Sequence, residues 1–286
     1  MFLKRISLPF LLFNLLWINS INIRKSFAII PFYDIPYSDD LKKESLSIGK
    51  SAYQLLYFGQ IKEALNLAKL AISLNKEDEK LWAILAEVQM ANDLKKDALE
   101  SLAKGKKINP MMSELYFAES SIYLSEKKYK NAKRSIKDGL KIQPENPKAI
   151  FQLANIYLIE RKYDKAINSF NEAIELKKDF WQAINNKGLV YFELDEIELS
   201  EKYFEKAIYF EENAEPLLGL AAAILNKDRD RAIQLTKKAL LQDPKYVSNS
   251  YRKEQLWGIK IQKVTKELLN IEELKADIIF AKQYLK

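Results

Sequence analysis

Between residues 45 and 246, small and apolar side chains recur at every thirty-fourth position. Ala64, Ala98, Ala132, Ala166 and Ser200 form one column. Ala71, Gly105, Gly139, Ala173 and Ala207 form another seven positions on, with Ala68, Leu102, Ile136, Phe170 and Phe204 between them. An earlier column reads Ala52, Ala86, Ser120, Ala154, Gly188 and Ala222, followed three positions later by Leu55, Gln89, Tyr123, Tyr157, Tyr191 and Leu225. Each unit holds two apolar stripes at helical spacing, separated by a polar turn such as Glu126-Lys127-Lys128 or Glu160-Arg161-Lys162. That pattern predicts a helix hairpin. A single hairpin cannot bury both stripes, so neighbours must stack: the small columns admit close helix approach, and the large ones fill the space between hairpins. Pro110, Pro144 and Pro244 stop second helices, because proline lacks the amide and clashes with the preceding turn. The sixth unit is two positions shorter between its helices, with Ala232 and Ala239 in the small positions. Beyond Val247, Tyr251 to Leu269 and Ile271 to Tyr284 predict two amphipathic capping helices, with Trp257 part of the cap.

The start of the chain follows another rule. Lys4 and Arg5 precede an apolar run from Ile6 to Ile18, and a polar decline leads to Ser26-Phe27-Ala28. A basic segment, a short apolar segment and small residues at the −3 and −1 positions predict a secretory signal cleaved after Ala28. The alternative is an uncleaved anchor over residues 6–23, which would attach the protein to a membrane. Flanking charge does not decide orientation. The expected organisation is therefore a signal or anchor over 1–28, a linker over 29–44, and repeats at 45–78, 79–112, 113–146, 147–180, 181–214 and 215–246. Capping helices would occupy 247–286. The expected location is a periplasm or thylakoid lumen after cleavage, with membrane anchoring as the alternative.

Composition narrows the chemistry. Seven Gly and eight Pro in 286 residues suit long uninterrupted helices. With neither Cys nor His, thiolate nucleophiles, Cys/His zinc sites and imidazole proton transfer are excluded. The glycines never lie closer than ten positions apart, so neither a P-loop nor a dinucleotide fingerprint exists. Acid pairs such as Glu193 with Asp195 and Glu196 fall at a turn, where solvated charge is the simpler account. No enzymatic activity and no cofactor are expected. Net charge is 46 minus 39, or +7; four of those cations, Lys4, Arg5, Arg24 and Lys25, precede Ile29 in a stretch that holds no acid, leaving +3 for the body. Lys and Glu alternate along most helices, so nucleic acid is not an expected partner.

The register resembles the tetratricopeptide repeat family, whose pattern has Trp, Leu-Gly, Tyr, then Ala, Phe, Ala and Pro at these spacings. The second unit supplies Trp82, Leu85, Ala86, Ala98, Leu102, Gly105 and Pro110; the fourth supplies Leu153, Ala154, Tyr157, Ala166, Phe170 and Ala173. The resemblance covers the six units from Ser45 to Tyr246 and implies an all-α fold: a right-handed α-solenoid of helix hairpins with a C-terminal capping helix pair. A further stretch, Phe180 to Gly188, together with the signal-like start, is similar to tetratricopeptide proteins of photosynthetic bacteria that assist photosystem assembly.

In that family the first helices line a concave groove, and the positions facing it correspond here to Lys148, Phe151, Gln152, Asn155 and Leu158 in the fourth unit. In the fifth they are Gln182, Asn185, Asn186, Leu189, Phe192 and Glu193. Asn can bond both an N–H and a C=O of an extended chain while Phe packs on its side chains, which suits a bound peptide. The competing reading has Asn185-Asn186 satisfying the helix itself. The family's carboxylate clamp for chaperone tails is not matched: Asn155 and Asn186 stand at its Asn positions, but Phe151, Pro216 and Leu220 stand where its cations belong. The resemblance implies a non-enzymatic scaffold holding a protein or extended peptide while a larger complex assembles. The alternative is an accessory or carrier factor for cell-envelope polymers acting with a partner enzyme.

Overall fold

The structure is a computed structural model that describes residues 38–285. The segment expected to be a signal or anchor lies outside them. Among the described residues no helix is long and apolar enough to cross a membrane.

The fold is all-α, as the periodicity predicts. Twelve helices form six consecutive antiparallel pairs: α1 (Ser38–Tyr57) with α2 (Ile61–Leu74), α3 (Glu79–Ala91) with α4 (Lys95–Ile108), and α5 (Ser113–Ser125) with α6 (Tyr129–Ile142). Then come α7 (Pro147–Ile159) with α8 (Tyr163–Leu176), α9 (Trp181–Glu193) with α10 (Ile197–Phe210), and α11 (Ala214–Ile224) with α12 (Arg229–Gln242). The second helix of each pair packs on the first helix of the next, giving a solenoid. α1 begins at Ser38, inside the segment read as linker. Asp39 and Asp40 occupy its first turn, where acids favour the positive end of a helix.

The small columns lie where helices touch. Ala64, Ala98, Ala132, Ala166, Ser200 and Ala232 are all fully buried. Ser200 fits the alanine column because its hydroxyl donates to the Gly188 carbonyl at 2.9 Å. We expect Ala166→Leu to cost about 1 to 3 kcal/mol by forcing methylenes between close helices. Lys165→Leu, on the exposed face of the same helix, should stay within about 0.5 kcal/mol. Denaturant melts of the two variants check the register, and equal midpoints would contradict it.

The turns inside the pairs share one conformation. Asp93, Lys127, Arg161 and Asp195, at equivalent positions of successive units, all have left-handed φ between 55° and 64°, and Gly59 takes the corresponding place with φ 74°. The next residue's N–H then bonds back to the carbonyl five positions earlier, as Leu94 does to Gln89 and Lys162 to Tyr157, each at 2.8 Å. This closes the helix end. The sixth unit is shorter not in its connection but in its first helix, α11 having 11 residues where α9 has 13, and its turn at 225–228 has no left-handed residue.

The C-terminal region departs from its pattern. Tyr251 to Leu269 is not one helix: α13 (Asn249–Glu254) ends, the chain breaks at Gln255–Gly258, and α14 (Ile259–Leu268) follows. A 3-10 turn, Pro244–Val247, precedes α13, another, Glu272–Leu274, follows α14, and α15 (Lys275–Gln283) is the last described helix. Leu256 is left-handed at the break, φ 65°. The cause is tertiary. Leu256 packs on the cluster containing Ile150, Leu158, Phe180 and Val190, while the adjacent Trp257 enters the core formed by α11, α12 and the C-terminal helices. A continuous helix could not send both that way. At Gly258 an added Cβ would lie 2.1 Å from Glu193 Cδ.

Candidate functional site

The first helices α7, α9 and α11 lie side by side, and a cleft of about 670 Å³ opens over them. α7 contributes Phe151, Gln152, Asn155 and Ile159. α9 contributes Trp181, Gln182 and Asn186, and Asn213 and Glu215 stand at the start of α11. The opposite wall is the chain's own C-terminal segment: Tyr246 and the run Lys253-Glu254-Gln255-Leu256.

Beneath the cleft, amides form a relay. Asn186 Nδ2 donates to Asn155 Oδ1 at 2.9 Å, and Asn185 Nδ2 to Asn186 Oδ1 at 3.1 Å. Asn185, fully buried, also bonds the Glu215 carboxyl. Trp257 Nε1 donates to Glu215 Oε1 at 3.0 Å, and Tyr246 is a third partner. Burial outweighs these three hydrogen bonds and pushes the Glu215 carboxyl up to about 7. Asn185 Oδ1 is buried without a partner. Burial, then the neighbouring Glu215, holds the Tyr246 phenol well above its usual range. Burial, together with the Tyr251 hydroxyl donating to Asp243 at 3.1 Å, pushes Tyr251 up to about 12.

A second set of contacts fastens the C-terminal segment across α9. Glu193 accepts from the backbone N–H of Lys260 at 2.9 Å and of Ile261 at 3.2 Å, so a side chain from α9 caps α14. Lys260 also pairs with Asp195. α14 packs against both α9 and α11.

Of the residues named from the sequence, Phe151, Gln152, Asn155, Gln182 and Asn186 line the cleft together. Lys148 is exposed on α7 outside it. Asn185, Leu189 and Phe192 are buried. The first belongs to the relay, and the other two to the core shared by α11 and the C-terminal helices. α14 packs on α9 in this region. Trp181, Glu215, Tyr246 and the 253–256 wall were not anticipated. One signal was present: Glu215 is the only acid in the run Ala214 to Ile224. Among the described residues, no group of three or more His, Cys, Asp or Glu side chains is placed to hold a metal ion.

The family described as TPR repeat matches residues 154–195, and that described as tetratricopeptide repeat matches 113–146 and 182–213. No curated protein matches the chain. Among solved structures, PilF of Pseudomonas aeruginosa is 17% identical with a TM-score of 0.64, covering 76% of this chain and 98% of its own. A MamA protein is 22% identical with a TM-score of 0.53, covering 61% and 93%. YrrB, described as a TPR protein with an unusual peptide-binding site, is 18% identical with a TM-score of 0.52, covering 65% and 97%. The matched segments fall on helices α5 to α10 and carry tetratricopeptide repeats, and the same helix-pair register continues through the described residues on both sides.

Proposed function

We propose that this protein is a non-enzymatic scaffold that holds an extended segment of a partner protein in the cleft over α7 and α9 while a larger complex assembles. The observation that carries the reading is the cleft itself. Gln152 and Gln182 bring amide groups to the cleft from neighbouring first helices, alongside the aromatic side chains Phe151 and Trp181. That combination bonds a peptide backbone and packs its side chains. YrrB, with a similar fold, has a peptide-binding site, which supports the same use here. The alternative role, with cell-envelope polymers, has no comparable feature to rest on.

The test is a library of displayed linear peptides selected on the full chain, followed by affinity measurement with Gln152→Ala/Gln182→Ala. Both side chains are partly exposed, so melting should hardly change. Each lost ligand hydrogen bond is worth about 0.5 to 1.5 kcal/mol, and the pair should weaken binding roughly five- to a hundredfold. Full affinity in the double variant would reject the cleft as the site. The triple change Asn155→Ala/Asn185→Ala/Asn186→Ala is a poor substitute, because it dismantles the buried relay.

The same reading includes export, with residues 1–28 removed or retained as an anchor over residues 6–23. N-terminal sequencing of protein from its native host should find a start near Ile29 outside the cytosol. An intact Met1 in the membrane fraction would replace cleavage by anchoring, and an intact soluble cytosolic product would reject both.

A further inference from the structure

A second pocket, of about 600 Å³, lies between α13, α14 and α15 and shares only Lys253 with the cleft over α7 and α9. Its charge is one-sided. Arg252, Lys253, Lys263, Lys266 and Lys282 line it, and no acid does. None of these five forms an ion pair among the described residues, although fourteen ion pairs occur elsewhere in them.

Arg252 is the unusual member. Its residue is 2% exposed, one guanidinium nitrogen donates to the Tyr246 carbonyl, and Nε is buried without a partner. A guanidinium withdrawn from water normally has a carboxylate or phosphate against it. Here burial alone acts on it, lowering its pKa to about 10 with no opposing charge to raise it. The four lysines are exposed around it, and the amides of Asn249, Gln262 and Asn270 add neutral donors. Val247, Ile259, Leu269 and Ile278 add apolar surface to the pocket.

From the buried unpaired guanidinium, the four unpaired lysines and the apolar surface, we infer that this pocket binds a phosphate monoester with an apolar substituent. The phosphoryl group sits on Arg252 and the lysines, and the substituent lies against Ile259 and Leu269. A phosphate monoester suits this donor set better than a single carboxylate. It carries close to two negative charges and three acceptor oxygens, enough to engage a guanidinium and several ammonium groups at once. The source is either a soluble ester or the headgroup of a lipid.

The full chain would be titrated with phenyl phosphate, and separately with phosphatidylcholine vesicles containing phosphatidic acid, against sodium chloride of matched ionic strength. Phenyl phosphate should raise the melting temperature beyond the salt control, by preferential binding to the folded state. Lys263→Ala/Lys266→Ala/Lys282→Ala, all exposed positions, should keep the fold and weaken binding at least tenfold. Arg252→Met should abolish the shift, and if that variant does not fold, the lysine variant decides the outcome. Binding of the soluble ester, lost in the variant, establishes the site for free esters. Vesicle binding alone, lost in the variant, establishes it for a lipid headgroup. Failure of both probes, or binding that survives unchanged in the lysine variant, overturns the assignment, including the case where vesicles are held by the N-terminal segment.

Discussion

Replacing Trp257 by Ala is expected to destabilise the protein by about 3 to 5 kcal/mol, the usual cost of emptying a large buried aromatic site. Trp257 is 3% exposed and packs among α11, α12 and the C-terminal helices, so its removal opens a cavity where three elements meet. It also takes the indole N–H from Glu215 Oε1. A solenoid transmits such damage mainly to its neighbours. The loss should therefore show as faster hydrogen exchange in α11, α13 and α14, with α3 to α6 nearly unchanged. Trp181→Ala, at a partly exposed position on the cleft, is the control and should cost far less. Equal melting of the two variants would show that the C-terminal segment is not seated on the concave face.

The second large effect is on pH dependence. Glu215 keeps its proton up to about 7 in the folded protein but only to about 4.5 when unfolded. Between those values the folded state binds more protons, so this group's stabilisation is fully present below about 4.5 and is lost as pH rises to 7. The difference corresponds to about 3 kcal/mol. Wild type should therefore lose stability, relative to Glu215→Gln, between pH 4.5 and 7, with no further change above. Comparing the two proteins removes the contributions of other carboxylates, such as Glu273, which its pairing with Arg229 holds down near 2. Parallel stability profiles would mean that Glu215 is ionised in the folded state.

The repeat register was legible because its cause is local and recurrent. Ala98, Ala132 and Ala166 sit where helices touch, and every hairpin imposes the same restriction at the same spacing. The concave residues Phe151, Gln152, Asn155, Gln182 and Asn186 were legible for the same reason, since a helix position fixes a face. The left-handed turn residues were not. Glycine marks that conformation only at Gly59, while Asp93, Lys127, Arg161 and Asp195 adopt it under the pull of the closing hydrogen bond. Nor was the break at Leu256 legible, because Tyr251 to Leu269 keeps a helical apolar period straight through it. What bends the chain there is Glu193, 67 residues before the amide it caps, and Glu215, 42 residues before Trp257. Contacts of that separation leave no mark in periodicity. They also explain why Asn185, Leu189 and Phe192 are buried and do not line the open cleft.

If the open part of the concave face, over α7 and α9, receives an extended peptide, a photo-reactive benzophenone side chain placed at Gln182 should capture it. The same group at Lys165, on the outer helix α8, serves as comparison. A selected peptide should cross-link to position 182 and be competed away by excess unlabelled peptide, with no product at position 165. Cross-linking at 165, or at neither position while the peptide remains bound, would place the ligand elsewhere and contradict the scaffold reading.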